Sequence, residues 1–399
     1  MKRLLQINSV ANLGSTGRIA EQLGKKVMEE GWESYIAYGR SANQSDSILI
    51  RIGNKVDLVS HGLQSRLWDK QGLASKRATK NFIKEIEKIK PDLVHIHNLH
   101  GYYLNFPILL SYLDECSIPT VLTVHDCWWF TGHCACIDEN CNNWMNVCMD
   151  CPLPKSYPKT LISKANRNWN IKNSIFNTVK NITLIPVSDW IDSKLKQSLL
   201  KNVPSKVIHN GVDTSVFFRE KDVDTSVPHN TFNILCVATK WTEHNGFYKI
   251  LQLSKLIEED VRIVIVGVDD RQLKSLPSNV IGVKRTENLA QLRGIYSQAD
   301  VLLNLTKNLS FGLVTAESMA CGTPAIVYSD TAGEEIIDYK TGFVMNQIEE
   351  VIPIVSKLKK NYNRENVASE CSRRIRENFS LDRQLNAYFD LYTELTERQ

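Results

Sequence analysis

No stretch of this sequence reaches the roughly 18 consecutive apolar residues that a membrane-spanning helix needs. The basic start MKRLLQINSVANLGSTG turns polar and glycine-containing too soon to read as a secretory signal peptide. The first loop lacks both the GxGxxG spacing of a dinucleotide site and the lysine of a nucleoside-triphosphate loop, and no HExxH motif of a catalytic zinc site occurs. Charge of one sign is scarce: 48 Lys and Arg against 44 Asp and Glu leave +4, too small an excess to mark a nucleic-acid binder. Repeats at a solenoid period and low-complexity tracts are also missing. These absences point away from a membrane-spanning, secreted or nucleic-acid-binding protein and make the cytoplasm the default expectation.

What is present is a chain of 399 residues, 43% apolar and 23% charged, long enough for two or three domains with substantial cores. Short apolar runs at residues 2–9, 34–37, 88–96, 119–125 and 182–188 alternate with helical stretches. After a polar connection at 219–233 a second series follows, at 234–238, 261–266, 280–283, 301–305 and 324–327, with helices predicted at 247–258, 289–297 and 313–320. Runs without alternation suit strands of a parallel sheet buried on both faces, so the fold class is α/β with two consecutive doubly wound domains. Ligands of such sheets bind at the carboxyl ends of the strands.

Several segments at those ends carry chemistry. Gly14 and Ser15 lie in the loop 12–17 between a strand and a helix, where free backbone amides could meet an anion or simply form a tight turn. Lys240 and His244 follow the strand 234–238; a cation there balances charge on a departing phosphate, or is a solvated lysine at a strand end. Ser310, Phe311 and Gly312 lead into a helix that starts at Leu313 and carries Glu317, either a carboxylate accepting two ribose hydroxyls or a surface residue. His95 and His97 occupy DLVHIHN, and His125 ends the strand 119–125; each is a structural histidine or a donor and acceptor near neutral pH.

Ten cysteines in a chain of this size without an export signal favour reduced thiols or a metal over disulfides. Five fall within 18 positions: Cys134, Cys136, Cys141, Cys148 and Cys151. Cys134, Cys141, Cys148 and Cys151 could close a tetrahedral structural zinc shell with Cys136 spare. Unliganded or partly paired thiols, and iron–sulfur or redox chemistry, are the alternatives.

The segments NLGSTGR, the strand-end VHD at His125, LIPVSDW, VIHNGVD and SFGLVTAESMACGTPAIV, in that order, resemble the GT-B, family 4 retaining glycosyltransferases across practically the whole chain. The TGHC, CxxW and CxxCP pattern over 132–152 is similar to a branch that builds bacterial capsule, exopolysaccharide or O-antigen. The resemblance implies two Rossmann-like domains facing across a cleft. These are an acceptor-side domain at 1–210 with a Cys-rich insertion at 127–158, a donor domain at 211–380, and a terminal helix at 381–399 crossing back. It implies transfer of a hexose-type sugar from a nucleotide sugar, UDP-linked in preference to GDP-linked, to a saccharide or polyprenyl-linked acceptor. No redox cofactor, catalytic metal or protein nucleophile is implied. Glu317 matches the second of the family's paired glutamates, which holds the donor ribose. Lys240 matches a phosphate contact, Ser310 to Leu313 the amides at the diphosphate, Gly14 and Ser15 the loop over the donor, and His125 a residue near the transferred sugar. Two positions depart: Leu309 stands for the first glutamate and Asn245 for a second diphosphate lysine, so Asn245 offers a hydrogen bond without charge. A degenerate sugar-nucleotide-binding protein is the rival class, and a dehydrogenase a more distant one. Contact with an anionic inner membrane is expected through Arg66, Lys70, Lys76, Arg77, Lys80 and Lys84 beside Leu63, Leu67, Trp68, Leu73 and Phe82.

Overall fold

The structure is a computed structural model that describes residues 1–137, 141–152, 154, 157–221, 223, 225–243, 245–361 and 363–397. His244, and residues 222 and 224 of the polar connection, lie outside the described residues. The chain divides into two compact units, Met1–Ile208 with Leu385–Gln399, and His209–Gln384.

The first unit is built on a parallel sheet of β1 (Arg3–Asn8), β2 (Glu33–Tyr38), β3 (Ile48–Arg51), β4 (Leu93–Ile96), β5 (Thr120–Val124) and β6 (Ile182–Pro186), in the order β3-β2-β1-β4-β5-β6. The central strands are apolar on both faces because helices cover both: Leu4, Leu5, Ile7, Leu93, Val94 and Val121 are wholly buried. The order reverses between β1 and β4, which opens the space beyond their carboxyl ends and beyond that of β5. The helix Leu381–Glu397 supplies Tyr388, Leu391 and Tyr392 to this unit's core, against Leu4, Leu23 and Leu93.

The second unit repeats the plan with β7 (Phe232–Val237), β8 (Val261–Val266), β9 (Val280–Val283), β10 (Val301–Asn304), β11 (Ala325–Tyr328) and β12 (Gly342–Met345), all parallel, in the order β12-β11-β10-β7-β8-β9. Here the reversal falls between β7 and β10. The loops leaving those two strands therefore flank the opening, and they carry Lys240 and Ser310 to Gly312.

Three local readings change. The first helix starts at Gly14, so Gly14 and Ser15 form its first turn instead of a separate loop. The helix predicted over 247–258 ends at Leu253, where the Ser254 hydroxyl turns back to donate to the Leu251 carbonyl. Phe82 belongs to the core, 3% exposed, and offers nothing to a membrane.

Candidate functional site

At the end of β7 the backbone is braced before the helix Phe247–Leu253 begins. Gly267 has φ +96°, and a Cβ built on it would stand 1.7 Å from the Ala238 carbonyl oxygen, so only glycine lets the two strand exits approach this closely. The buried Trp241 indole donates to the Val266 carbonyl at 2.8 Å. Asn245 closes the loop from within: its Oδ1 accepts from the Thr242 amide at 2.6 Å and its Nδ2 donates to the Lys240 carbonyl at 2.6 Å. Its amide group thus serves the loop, a different task from the direct phosphate contact expected of it, while the Lys240 side chain is exposed beside it.

Beyond β10, Phe311 is buried and Gly312 adopts φ +102° as the residue before the helix Leu313–Ala320. No side chain caps that helix, so its first amides point outward as donors with the positive end of the helix dipole behind them. One turn on, the half-buried Glu317 accepts a hydrogen bond at Oε2 from the Tyr296 hydroxyl at 3.1 Å. Tyr296 is fully buried on the helix Leu289–Gln298, and burial, reinforced by the Glu317 charge, pushes its phenol well above the usual range, which keeps it a donor. His209 Nε2 lies 3.1 Å from Glu335 Oε2, with the Phe379 ring 5.4 Å and the Phe311 ring 6.3 Å from the imidazole. The sequence reading missed Tyr296 and the His209–Glu335 pair. Only the VIHNGVD segment and the acidic start of the helix Gly333–Ile336 hinted at the latter.

In the first unit Gly14 is exposed at φ +65° with open space around it, and the helix Gly14–Glu29 likewise starts without a side-chain cap. Asn12, at φ +46°, ties the preceding loop down by donating to the Gln44 carbonyl at 2.7 Å. His125, half-buried just after β5, has Nε2 3.1 Å from His97 Nδ1. Its neighbour Asp126 accepts from His100 Nε2 at 2.9 Å and from the Trp128 amide at 3.0 Å. Behind them His95 lies between the Tyr392 hydroxyl at 2.6 Å and the Thr123 hydroxyl at 2.7 Å.

The His95, His97 and His125 imidazoles are held neutral. Burial pushes His95 and His97 well below the usual histidine value and His61 down to about 4. Between pH 6.5 and 4 the unfolded chain therefore binds protons that the folded unit refuses, so stability falls as the pH drops. Each such histidine contributes a slope of about 1.4 kcal/mol per pH unit. Denaturant unfolding followed from pH 7 to 5 is expected to show the first unit losing stability from pH 6.5 downward. A flat profile above pH 5 would contradict this.

The Cys-rich insertion encloses a cavity of about 20 Å³ lined by Cys134, Cys136, Cys141, Cys148 and Cys151 together with His133. All ten cysteines are free thiols, which removes the disulfide alternative for this structure. The Gly132 amide donates to Cys148 Sγ at 3.2 Å. A hydrogen bond with Cys151 and burial raise the Cys134 thiol, and burial pushes Cys148 up to about 11. Among the described residues, no three of these sulfurs lie within 4.8 Å of one another, so the set is more open than the expected tetrahedral shell. Lys172, buried beneath the insertion, donates to the Trp128 carbonyl and, at 2.9 Å, to the Thr131 carbonyl. Burial pushes this ammonium down to about 7.

Two six-stranded parallel units, each with its strand order reversed beside uncapped helix starts, give the GT-B fold. The family described as Glycosyltransferase Family 4 matches residues 16–216, and the one described as Glycosyl transferases group 1 matches residues 231–361. The chain therefore belongs to glycosyltransferase family 4. It is 22% identical to the colanic acid biosynthesis glycosyl transferase WcaC of Escherichia coli, over 98% of this chain and 100% of that one. Sucrose-phosphate synthase of Thermosynechococcus elongatus shares the fold at TM-score 0.75 and 14% identity, covering 100% of both chains. Anabaena HepE, solved with UDP and glucose, does so at TM-score 0.67 and 12% identity, over 98% of this chain and 100% of that one.

Proposed function

We propose that this glycosyltransferase moves a hexose-type sugar from a nucleoside diphosphate, UDP in preference to GDP, to a saccharide or lipid-linked saccharide in surface-polysaccharide assembly, with retention at the anomeric carbon. The observation that carries the donor side is the Tyr296–Glu317 hydrogen bond, which orients a carboxylate four residues along an uncapped helix. In this reading Glu317 accepts the ribose hydroxyls, and the amides from Ser310 to Leu313 face the diphosphate. Lys240 balances the charge that grows as the bond from the anomeric carbon to the phosphate oxygen breaks. The departing phosphate takes the acceptor's proton while the new glycosidic bond forms on the same face. HepE, a protein of the same fold, is solved with UDP-glucose, which supports UDP. The rival reading, a weakly active or inactive sugar-nucleotide-binding protein, rests on Leu309 and on Asn245, whose amide is committed to its own loop. Incubation with a panel of nucleotide sugars and saccharide or polyprenyl-linked acceptors separates the two, since the first turns over repeatedly while the second binds donor with little or no product.

The Cys134, Cys141, Cys148 and Cys151 set is proposed to hold a structural zinc, drawing the sulfurs closer than they stand. The chemistry of the donors supports it, and so does His133: its Nδ1 lies 2.8 Å from the buried Asp69 carboxylate, while its Nε2 is buried without a partner. Elemental analysis of protein purified without chelator is expected to find about one zinc per chain. A metal-free, fully folded protein would overturn the assignment.

For the lipid-linked acceptor, the helix Lys55–Trp68 supports membrane contact. Val56, Val59, Leu63, Leu67 and Trp68 are exposed along it, with Arg66 and, nearby in sequence, Lys76, Arg77 and Lys80 also exposed. Co-sedimentation with anionic vesicles is expected, and it weakens when Leu63 and Trp68 are both replaced by serine. Equal sedimentation with and without vesicles would contradict it.

A further inference from the structure

We infer that a hydrogen-bond chain starting at a backbone carbonyl locks His125 as its Nε2–H tautomer, which makes Gln6 and His97 positioning residues for a ring that the family resemblance sets near the transferred sugar. The chain can be read proton by proton. The Ala20 carbonyl can only accept, and it takes its hydrogen from Gln6 Nε2 at 2.7 Å. That fixes the Gln6 amide with Oε1 facing His97 Nε2 at 3.0 Å. An amide oxygen has no hydrogen to give, so the proton of this bond belongs to His97 Nε2. Gln6 and His97 are almost wholly buried, 0% and 1% exposed, and burial pushes the His97 imidazole well below its usual value. His97 therefore carries one proton, and its Nδ1 is a lone pair. The 3.1 Å bond from His97 Nδ1 to His125 Nε2 must then take its proton from His125. Burial likewise pushes His125 down to about 4, so its single ring proton is the one already counted.

The remaining nitrogen, His125 Nδ1, has no hydrogen bond to a protein group among the described residues, and it is not one of the buried unpartnered atoms. It is an open acceptor just beyond the carboxyl end of β5, where ligands of this sheet architecture sit. The adjacent Asp126 is a carboxylate held by His100 Nε2 and the Trp128 amide, so it supplies no hydrogen to Nδ1. A lone pair there rejects a bare phosphate oxygen and accepts a hydroxyl hydrogen. Gln6 and His97 act through His125 as positioning residues. All four groups of the chain belong to the first unit. The positioning role rests on the glycosyl-transfer reading, whereas the tautomer itself does not.

Multiple-bond proton–nitrogen NMR of the full-length, 15N-histidine-labelled protein at pH 7 reads which ring nitrogens carry hydrogen, and His125→Asn identifies the His125 signals by their loss. The expected pattern is a protonated Nε2 and a bare Nδ1. A protonated or averaged Nδ1 in the wild type would overturn the chain. Gln6→Leu removes the acceptor that fixes His97, and it is expected to mix the His125 tautomers. It should also lower kcat/KM by about tenfold, the worth of one strong hydrogen bond, with nucleoside diphosphate affinity unchanged. Gln6→Glu keeps an oxygen facing His97 and should recover most of the loss. A Gln6→Leu variant with full kcat/KM would overturn the positioning role, and if that variant does not fold, a Gln6→Glu protein with mixed tautomers would overturn it. A locked His125 in a protein that transfers no sugar would support the tautomer chain while counting against the transferase reading.

Discussion

Lys240→Ala is expected to lower turnover at saturating donor by about 10- to 100-fold, the worth of one charged hydrogen bond made stronger in the transition state. The size follows from what the neighbouring loop leaves undone. Asn245 occupies the place of the family's second lysine, and both ends of its amide bond the loop backbone, so it brings no cation to the diphosphate. In the proposed reading, charge balance on the leaving group then falls more heavily on Lys240, whose side chain is exposed at the exit of β7. Glu317→Gln is expected to behave differently: it weakens nucleoside diphosphate binding by about tenfold with a smaller effect on saturated turnover, because the ribose contact is made in ground and transition states alike. Steady-state kinetics beside calorimetric titration of the nucleoside diphosphate separates these patterns. Wild-type turnover in Lys240→Ala would remove the phosphate role, and unaltered affinity in Glu317→Gln the ribose role. Tyr296→Phe should reproduce part of the Glu317→Gln loss, since it deletes the 3.1 Å bond that orients the carboxylate.

Gly267→Ala is expected to be the most damaging single substitution in the second unit, costing on the order of 4 kcal/mol or more. The added methyl would lie 1.7 Å from the Ala238 carbonyl oxygen, in a backbone conformation, φ +96°, that L side chains rarely adopt. Relief requires β7 and β8 to part at their carboxyl ends, which displaces the segment leading to Lys240. Denaturant unfolding should show a strongly destabilised second unit, and residual protein should bind nucleotide poorly. A change within about 1 kcal/mol would show that the strand exits are not held as closely as described.

The strands were legible because burial on both faces leaves unbroken apolar runs; β8 and β9 match the sequence reading residue for residue. Two of the four edge strands were not. In β3 and β12, Ile48 and Val344 are 55% and 42% exposed, so neither displays a buried run. Glu317 and Lys240 could be singled out from their motifs, but Tyr296 could not. It is one aromatic residue 21 positions from its partner, and only the packing of two helices joins them. Gln6 and His97 are 91 residues apart and meet because β1 and β4 pair, a proximity that no local pattern records. The role of Asn245 was hidden for another reason. Its type and position were plain, but its bonds depend on the left-handed Gly246 that follows it, φ +86°, and on the three-residue reach back to Thr242. The cysteine spacing disclosed soft ligands without disclosing how far apart the insertion holds them.

Donor-dependent sugar transfer is tested most directly by nucleoside diphosphate release from a panel of nucleotide sugars, with and without saccharide or polyprenyl-linked acceptors. Product identity is read by mass and anomeric configuration by NMR. Acceptor-dependent release with at least one nucleotide sugar, retention at the anomeric carbon, and a rate that collapses in Lys240→Ala are expected. Tight nucleotide binding with no transfer across the whole panel, or an inverted product, would contradict the proposed function.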